Sequence, residues 1–231
     1  DNLVFPSLLR TLKYTVITVP LQIIIGLLIA QLFNCKLKGS KVYTMLAYLP
    51  SVISGSVLAI LWSNMYHKDF GVFNYILSLF GIKKVGWLTD PKVALYSVIL
   101  MSLWSVGVPM VMFMSGLRNI PQTYYEAADI DGANPIFKFF HITIPLLTPT
   151  ILFVLILQII GSFQVMAQVL VVTNGGPAKS TYVYSLYEYE TAFKFMKMGY
   201  ASALSWVMFV VILTITVTIL KTSNITHDSA L

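Results

Sequence analysis

The chain has 231 residues, of which 57% are hydrophobic and only 10% charged, and its mean hydropathy is +0.80. An ordinary soluble domain carries roughly 25% charged residues. The composition therefore excludes a soluble enzyme, a disordered chain and a secreted disulfide scaffold, and indicates a polytopic membrane protein in contact with lipid. The formal net charge is +6, but the 15 basic residues are scattered between apolar runs. With no dense basic face, nucleic acid is not an expected partner. One cysteine, Cys35, allows no internal disulfide. The chain begins at Asp1 rather than Met and reads as a processed or partial sequence, with residues expected before it.

A bilayer core of about 30 Å needs about 20 apolar residues in a helix. Five windows qualify: from about Tyr14 to Phe33, Tyr43 to Asn64, Val93 to Leu117, Leu146 to Val172 and Tyr200 to Leu220. None contains Asp, Glu, Lys, Arg or His. Backbone groups in lipid must be satisfied internally, so such runs read as helices. The period-two alternation of a barrel strand is missing. The first window lies too deep in the chain, and lacks a small-residue cleavage site, to be a signal peptide. The expected fold is all-α, a polytopic membrane helix bundle with five spans, forming one transmembrane domain over 1–231.

The connections differ in character. Asn34 to Val42 is short and holds Lys36, Lys38 and Lys41. The segment 65–92 holds aromatics with Gly71, Gly81 and Gly86, and 173–199 begins with a Gly175-Gly176-Pro177 turn. Alternation places the 34–42 and 118–145 segments and the tail on one side, with 65–92 and 173–199 on the other. The first side carries Lys36, Lys38, Lys41, Arg118, Lys138 and Lys221. The second carries Arg10, Lys13, Lys68, Lys83, Lys84, Lys92, Lys179, Lys194 and Lys197. A bare count of positive charge favours the second side as cytoplasmic, although the rule weakens for its longer loops.

The segment 121–145 reads as two short helices and a turn. Thr123 and Glu126 match a capping box, and Ala127 and Ala128 are good helix formers. Gly132 suits the left-handed turn that ends the first helix. Asn134 caps a second helix, with Pro135 at its first position. Ile136, Phe137, Phe140 and Ile144 share one helical face. Two readings are open on these residues: a knob for another protein's groove, or a loop lying on the membrane surface.

Glu126-Ala127-Ala128, three residues, Gly132, nine residues, then Ile142-Thr143-Ile144-Pro145 resembles the EAA loop of binding-protein-dependent ABC importer permeases, with Ile144 in place of leucine. Asp131-Gly132-Ala133 matches the form common in sugar permeases. Thr173-Asn174-Gly175-Gly176-Pro177, Ser180-Thr181, Gly199-Tyr200-Ala201-Ser202-Ala203, Val19-Pro20-Leu21 and Leu49-Pro50-Ser51 resemble the maltose and glycerol-phosphate type permeases. The likeness runs through nearly the whole chain. It implies a six-helix core whose N-terminal helix is missing here. It also implies that 118–145 is cytoplasmic and docks in a groove of an ATPase subunit through Glu126, Ala127, Ala128, Asp131 and Gly132. The segments 65–92 and 173–199 are then external, against the bare charge count.

The implied assembly is a second homologous permease, forming a heterodimer, with two ATPase subunits that bind ATP and Mg, and an external solute-binding protein, in the bacterial cytoplasmic membrane. Independently, the chain has no phosphate-binding G-x-x-x-x-G-K-[ST] loop and no charge within a span to serve a proton relay. A transporter built this way must borrow its driving force or work passively. It is not expected to be an enzyme, nor to hold a cofactor or metal of its own.

The expected pathway residues are Gln158, Ser162, Phe163, Gln164 and Gln168, with Gln164 and Gln168 on one helix face at i, i+4. Amides and aromatic faces suit a sugar, oligosaccharide or related polyol; the competing role is hydrogen bonding between helices. Ser102, Trp104 and Ser105 read as packing. Trp62, Tyr66 and Trp87 read as interfacial anchors. Tyr182, Tyr184, Tyr187, Tyr189, Phe193 and Phe195 read either as lipid-facing or as a surface for a docked binding protein. His67, His141 and His227 have no metal-ligand spacing. The expected function is the translocation subunit of an ATP-driven importer working by alternating access. The rivals are a stand-alone passive channel or facilitator for a small neutral solute, and a membrane scaffold.

Overall fold

The computed structural model describes residues 1–34 and 39–223. Cys35, Lys36, Lys38 and His227 lie outside the described residues. Among the described residues the chain is helical, with no strand. Three helices are long and apolar enough to cross a membrane: α1 (Val4–Asn34), the continuous helix Pro135–Phe163 and α12 (Met198–Thr222). Two bent pairs reach the same length together. They are α2 (Ser40–Val52) with α3 (Gly55–Met65), and α5 (Ala94–Ser102) with α6 (Gly107–Arg118). Counted as one span each, they bring the total to five.

The second window is therefore not one straight span. Its halves meet at 95°. Pro50 lies in the last turn of α2, Ile53 is extended, and Ser54 caps α3 by accepting from the Val57 N–H. Proline removes a helix donor, and a fresh cap starts a new helix axis. The third window bends by 44° through a short turn at Leu103–Ser105.

The expected fourth span differs at its end. The α9 helix (Ile144–Phe163) stops two turns early, and α10 (Ala167–Val172) is a separate piece. The Gln164 N–H donates back to Gly161 O at 3.1 Å, and the Met166 N–H donates to Gln164 O at 2.8 Å. That tight turn takes Gln164 and Gln168 off a common helix.

The α1 helix is the axis of the bundle and packs against α6 and α9. Gly26 permits the contact with α6, since a Cβ there would lie 3.1 Å from Pro109 Cβ. Above and below, α1 enters two apolar cores. One gathers Tyr14 with Leu58, Trp62, Val98, Val169 and Leu186. The other gathers Leu27 and Ala30 with Met110, Phe113, Leu147 and Val154.

The segments at one end of the bundle are folded caps rather than free loops. Asn74 is buried and organises the first. Its amide donates to Lys68 O (3.0 Å) and Val85 O (2.9 Å), and its Oδ1 accepts from the Val85 N–H (3.0 Å) and Trp87 Nε1 (3.1 Å). Helix α4 (Val72–Leu79) completes it. Trp62 and Tyr66 are buried with Phe73 and Trp87 in one aromatic cluster, with ring centroids 5.1–5.7 Å apart. They are core residues, not lipid anchors, because the cap covers them. In the second cap, α11 (Tyr184–Tyr189) is held by Thr11, whose Oγ1 accepts from the Tyr184 N–H at 2.8 Å. Tyr182, Tyr184 and Tyr187 are buried, whereas Tyr189, Phe193 and Phe195 are exposed.

Candidate functional site

Between the two apolar cores lies a polar waist. A cavity of about 310 Å³ opens there, bounded by Tyr14, Thr18 and Gln22 of α1, by Ser51 of α2, and by Ser102 and Ser105 around the break after α5. From the other side come Gln158 and Ser162 of α9, the turn residue Gln164, and Gln168 of α10. Its polar groups form a chain of hydrogen bonds. Gln158 Nε2 donates to Gln22 Oε1 at 2.8 Å, and Gln22 Nε2 donates to Ser102 O at 3.0 Å. The Tyr14 hydroxyl shares a 2.6 Å bond with Ser102 Oγ. Ser162 Oγ donates to Ile159 O at 2.7 Å and lies 2.8 Å from Thr15 Oγ1. None of the lining residues carries a formal charge. Amides and hydroxyls can donate and accept in turn, so the wall matches a neutral polyhydroxylated solute better than an ion.

Four of the five expected pathway residues meet here: Gln158, Ser162, Gln164 and Gln168. Phe163 does not. It is fully buried against Val19 and Ile159, because its position on α9 turns it toward α1 away from the cavity. Ser102 and Ser105 line the cavity rather than serving only as packing, while Trp104 stacks edge-on against Trp62 at 5.8 Å. The contribution of α1 escaped sequence reasoning. Ser7, Thr11, Thr15, Thr18 and Gln22 follow helical spacing along one side of an apolar helix, and that stripe was the available signal.

The second candidate region is 118–145. Helix α7 (Gln122–Ile130) has no buried residue. It begins at Gln122 with Pro121 as N-cap and no side-chain cap bond, so Thr123 lies inside the helix and the expected capping box does not form. Its far end is well defined. Gly132 has φ +73°, the Ala133 N–H donates to Ala128 O (2.9 Å), and the Gly132 N–H donates to Asp129 O (3.1 Å). These two bonds are the glycine-terminated helix stop, which satisfies orphan carbonyls.

Asn134 then caps α8 (Pro135–Lys138) by accepting from the Phe137 N–H at 2.7 Å. Two ties fix α7 to the bundle. The Tyr125 hydroxyl meets Thr143 Oγ1 at 2.9 Å, and Lys138 Nζ pairs with Asp129 at 2.5 Å. Glu126, Ala127, Asp131 and Gly132 remain exposed, and Ala128 is half-buried. Around them Ile130, Ile136 and Phe140 are 87%, 71% and 61% exposed, more apolar surface than an isolated polar turn would show.

A bundle of broken spans around a neutral polar cavity, with a short rigid helix projecting between two spans, defines a membrane transport component. Residues 8–224 match the family described as binding-protein-dependent transport system inner membrane component. The chain belongs to that family and is a permease subunit of an ABC importer. It is 43% identical over 228 residues to the probable ABC transporter permease protein YesP of Bacillus subtilis strain 168, covering 97% of this chain and 74% of that one. It is 35% identical over 222 residues to the trehalose/maltose transport system permease protein MalF of Thermococcus litoralis, covering 94% and 74%. A bacterial alginate ABC transporter, crystallised with an alginate pentasaccharide-bound periplasmic protein, shares the fold. Its TM-score is 0.82 at 23% identity, over 97% of this chain and 80% of that chain.

Proposed function

We propose that this permease carries a sugar, oligosaccharide or related polyol through the waist cavity by alternating access, driven by ATP hydrolysed on separate subunits. The observation that carries this reading is α7, a short helix tied to the bundle at Tyr125 and Asp129 while Glu126, Ala127 and Gly132 stay exposed. A helix held rigidly but left uncovered transmits force from whatever grips it. The partners are two ATPase subunits binding ATP and Mg, a second homologous permease forming a heterodimer, and an external solute-binding protein. The setting is the bacterial cytoplasmic membrane, with 118–145 inside and 65–92 and 173–199 outside. ATP closes the ATPase pair, the coupling helices are drawn together, and the bundle opens outward to receive solute. The trehalose/maltose relative supports a sugar, as does a cavity wall of amides and hydroxyls without charge.

The test is gentle affinity purification from the native membrane with mass spectrometry of every co-purifying chain. Recovery of an ATPase and a second permease is expected; recovery of this chain alone, intact and folded, overturns the reading. A companion variant is Gly132→Asp. A Cβ at Gly132 meets nothing within 4 Å, so the chain accommodates the substitution at a backbone cost of about 1 kcal/mol. Assembly with ATPase activity but no uptake is expected.

A further inference from the structure

A second cavity, of about 440 Å³, adjoins the waist, and Gln164 lines both. Its other walls come from Met166, α11, the helical turn Glu190–Lys194 and the N-terminal part of α12. Each volume falls in the range of ligand pockets, about 300–1,000 Å³. We propose that this outer cavity is a second sugar subsite in series with the waist, so that the solute is an oligosaccharide with one unit in each. The inference rests on the sugar reading above and extends it to solute length.

Three features carry it. Ser185 is only 9% exposed, and its Oγ is buried without a hydrogen-bond partner. A hydroxyl left unpaired in a largely apolar wall is costly; Ser185 lines the cavity, and rotation about its χ1 is needed to present the hydroxyl to a ligand. Glu188 accepts a bond from Ser205 Oγ, which leaves acceptor positions on its carboxylate for a pair of sugar hydroxyls in charge-assisted bonds. Tyr189 and Phe193, with ring centroids 5.2 Å apart and planes tilted by 40°, line the cavity and supply the aromatic surface on which the C–H side of a sugar ring packs. The carboxylate repels anionic solutes. A lipid chain is a poor occupant, since it sets the Glu188 carboxylate, held among the described residues by the Ser205 bond alone, against hydrocarbon.

The test uses the whole importer, with its own binding protein and ATPase, in proteoliposomes. Labelled glucose, maltose and maltotriose, arabinose, arabinobiose and arabinotriose, and lactose are offered. Import of di- or trisaccharides is expected. Ser185→Ala and Glu188→Gln are expected to lower kcat/KM for the loaded binding protein about tenfold with the longest imported sugar, the loss of one good hydrogen bond. For the shortest imported sugar the change stays within about twofold. Ser185→Ala removes an unpaired hydroxyl, so assembly is retained.

An equal loss at every sugar length overturns the subsite in favour of a structural role. No loss at any length overturns it too, and phospholipid retained in wild type but not in Ser185→Leu then assigns the cavity to an acyl chain. Import of none of these sugars defeats the sugar reading itself, a failure distinct from the other two.

Discussion

Tyr184 and Tyr187 anchor the cap formed by 173–199, and burial pushes both hydroxyls up to about 12 from the usual 10.0, helped by Glu188 at Tyr184 and by Tyr200 at Tyr187. An unfolded tyrosine ionises first, so the stability these groups contribute is complete below pH 10 and is lost as pH rises toward 12. Hydrogen exchange of the 180–192 backbone, followed with tyrosinate absorbance, is expected to show the cap opening over that interval. Gln158 illustrates the waist in the same way. Gln158→Leu deletes the bond to Gln22, costs about 1–2 kcal/mol and is expected to abolish solute uptake while leaving the complex assembled; purification yield and uptake check the two halves separately. The sequence exposed Gln158, Ser162, Gln164 and Gln168 because polar groups are rare in an apolar run. Phe163 lies outside the cavity; its aromatic character suited a ligand wall and a packed core equally.

At the scale of elements, breaks in the helices matter more than the helices. The apolar windows were legible because lipid tolerates only self-satisfied backbone. The 95° corner between α2 and α3 was not, since hydropathy is continuous through Pro50 and Gly55. Helix packing gives a sharp contrast between two glycines. A Cβ at Gly116 would lie 2.6 Å from Leu147 Cδ1 and 2.8 Å from Thr150 Oγ1, whereas one at Gly161 meets nothing within 4 Å. Gly116→Ala is expected to force α6 from α9 and cost about 1–3 kcal/mol, read as an earlier thermal melt in detergent. Gly161→Leu projects into the waist cavity that Gly161 lines; the melt is expected to hold while uptake fails.

The whole molecule poses a conflict of topology, because the side that carries α7 also carries fewer cations. The orientation proposed above runs against that count. Lys84 pairs with Asp69 and Lys194 with Glu190 inside ordered caps, so these lysines belong to built structure rather than to short loops that orient a nascent span. With Cys35→Ser as background, a membrane-impermeant maleimide is expected to label Lys84→Cys on intact cells and Asp131→Cys only after permeabilisation. Labelling in the reverse order would invert the topology. The absence of formal charge around the waist has an electrical consequence. Moving one elementary charge through a membrane field is worth about 2.3 kcal/mol per 100 mV, but a neutral solute crossing a neutral wall displaces none. For the neutral solute proposed above, clamping the membrane voltage at fixed ATP is expected to leave the uptake rate unchanged; a voltage-dependent rate would show that charge moves across the field during the cycle.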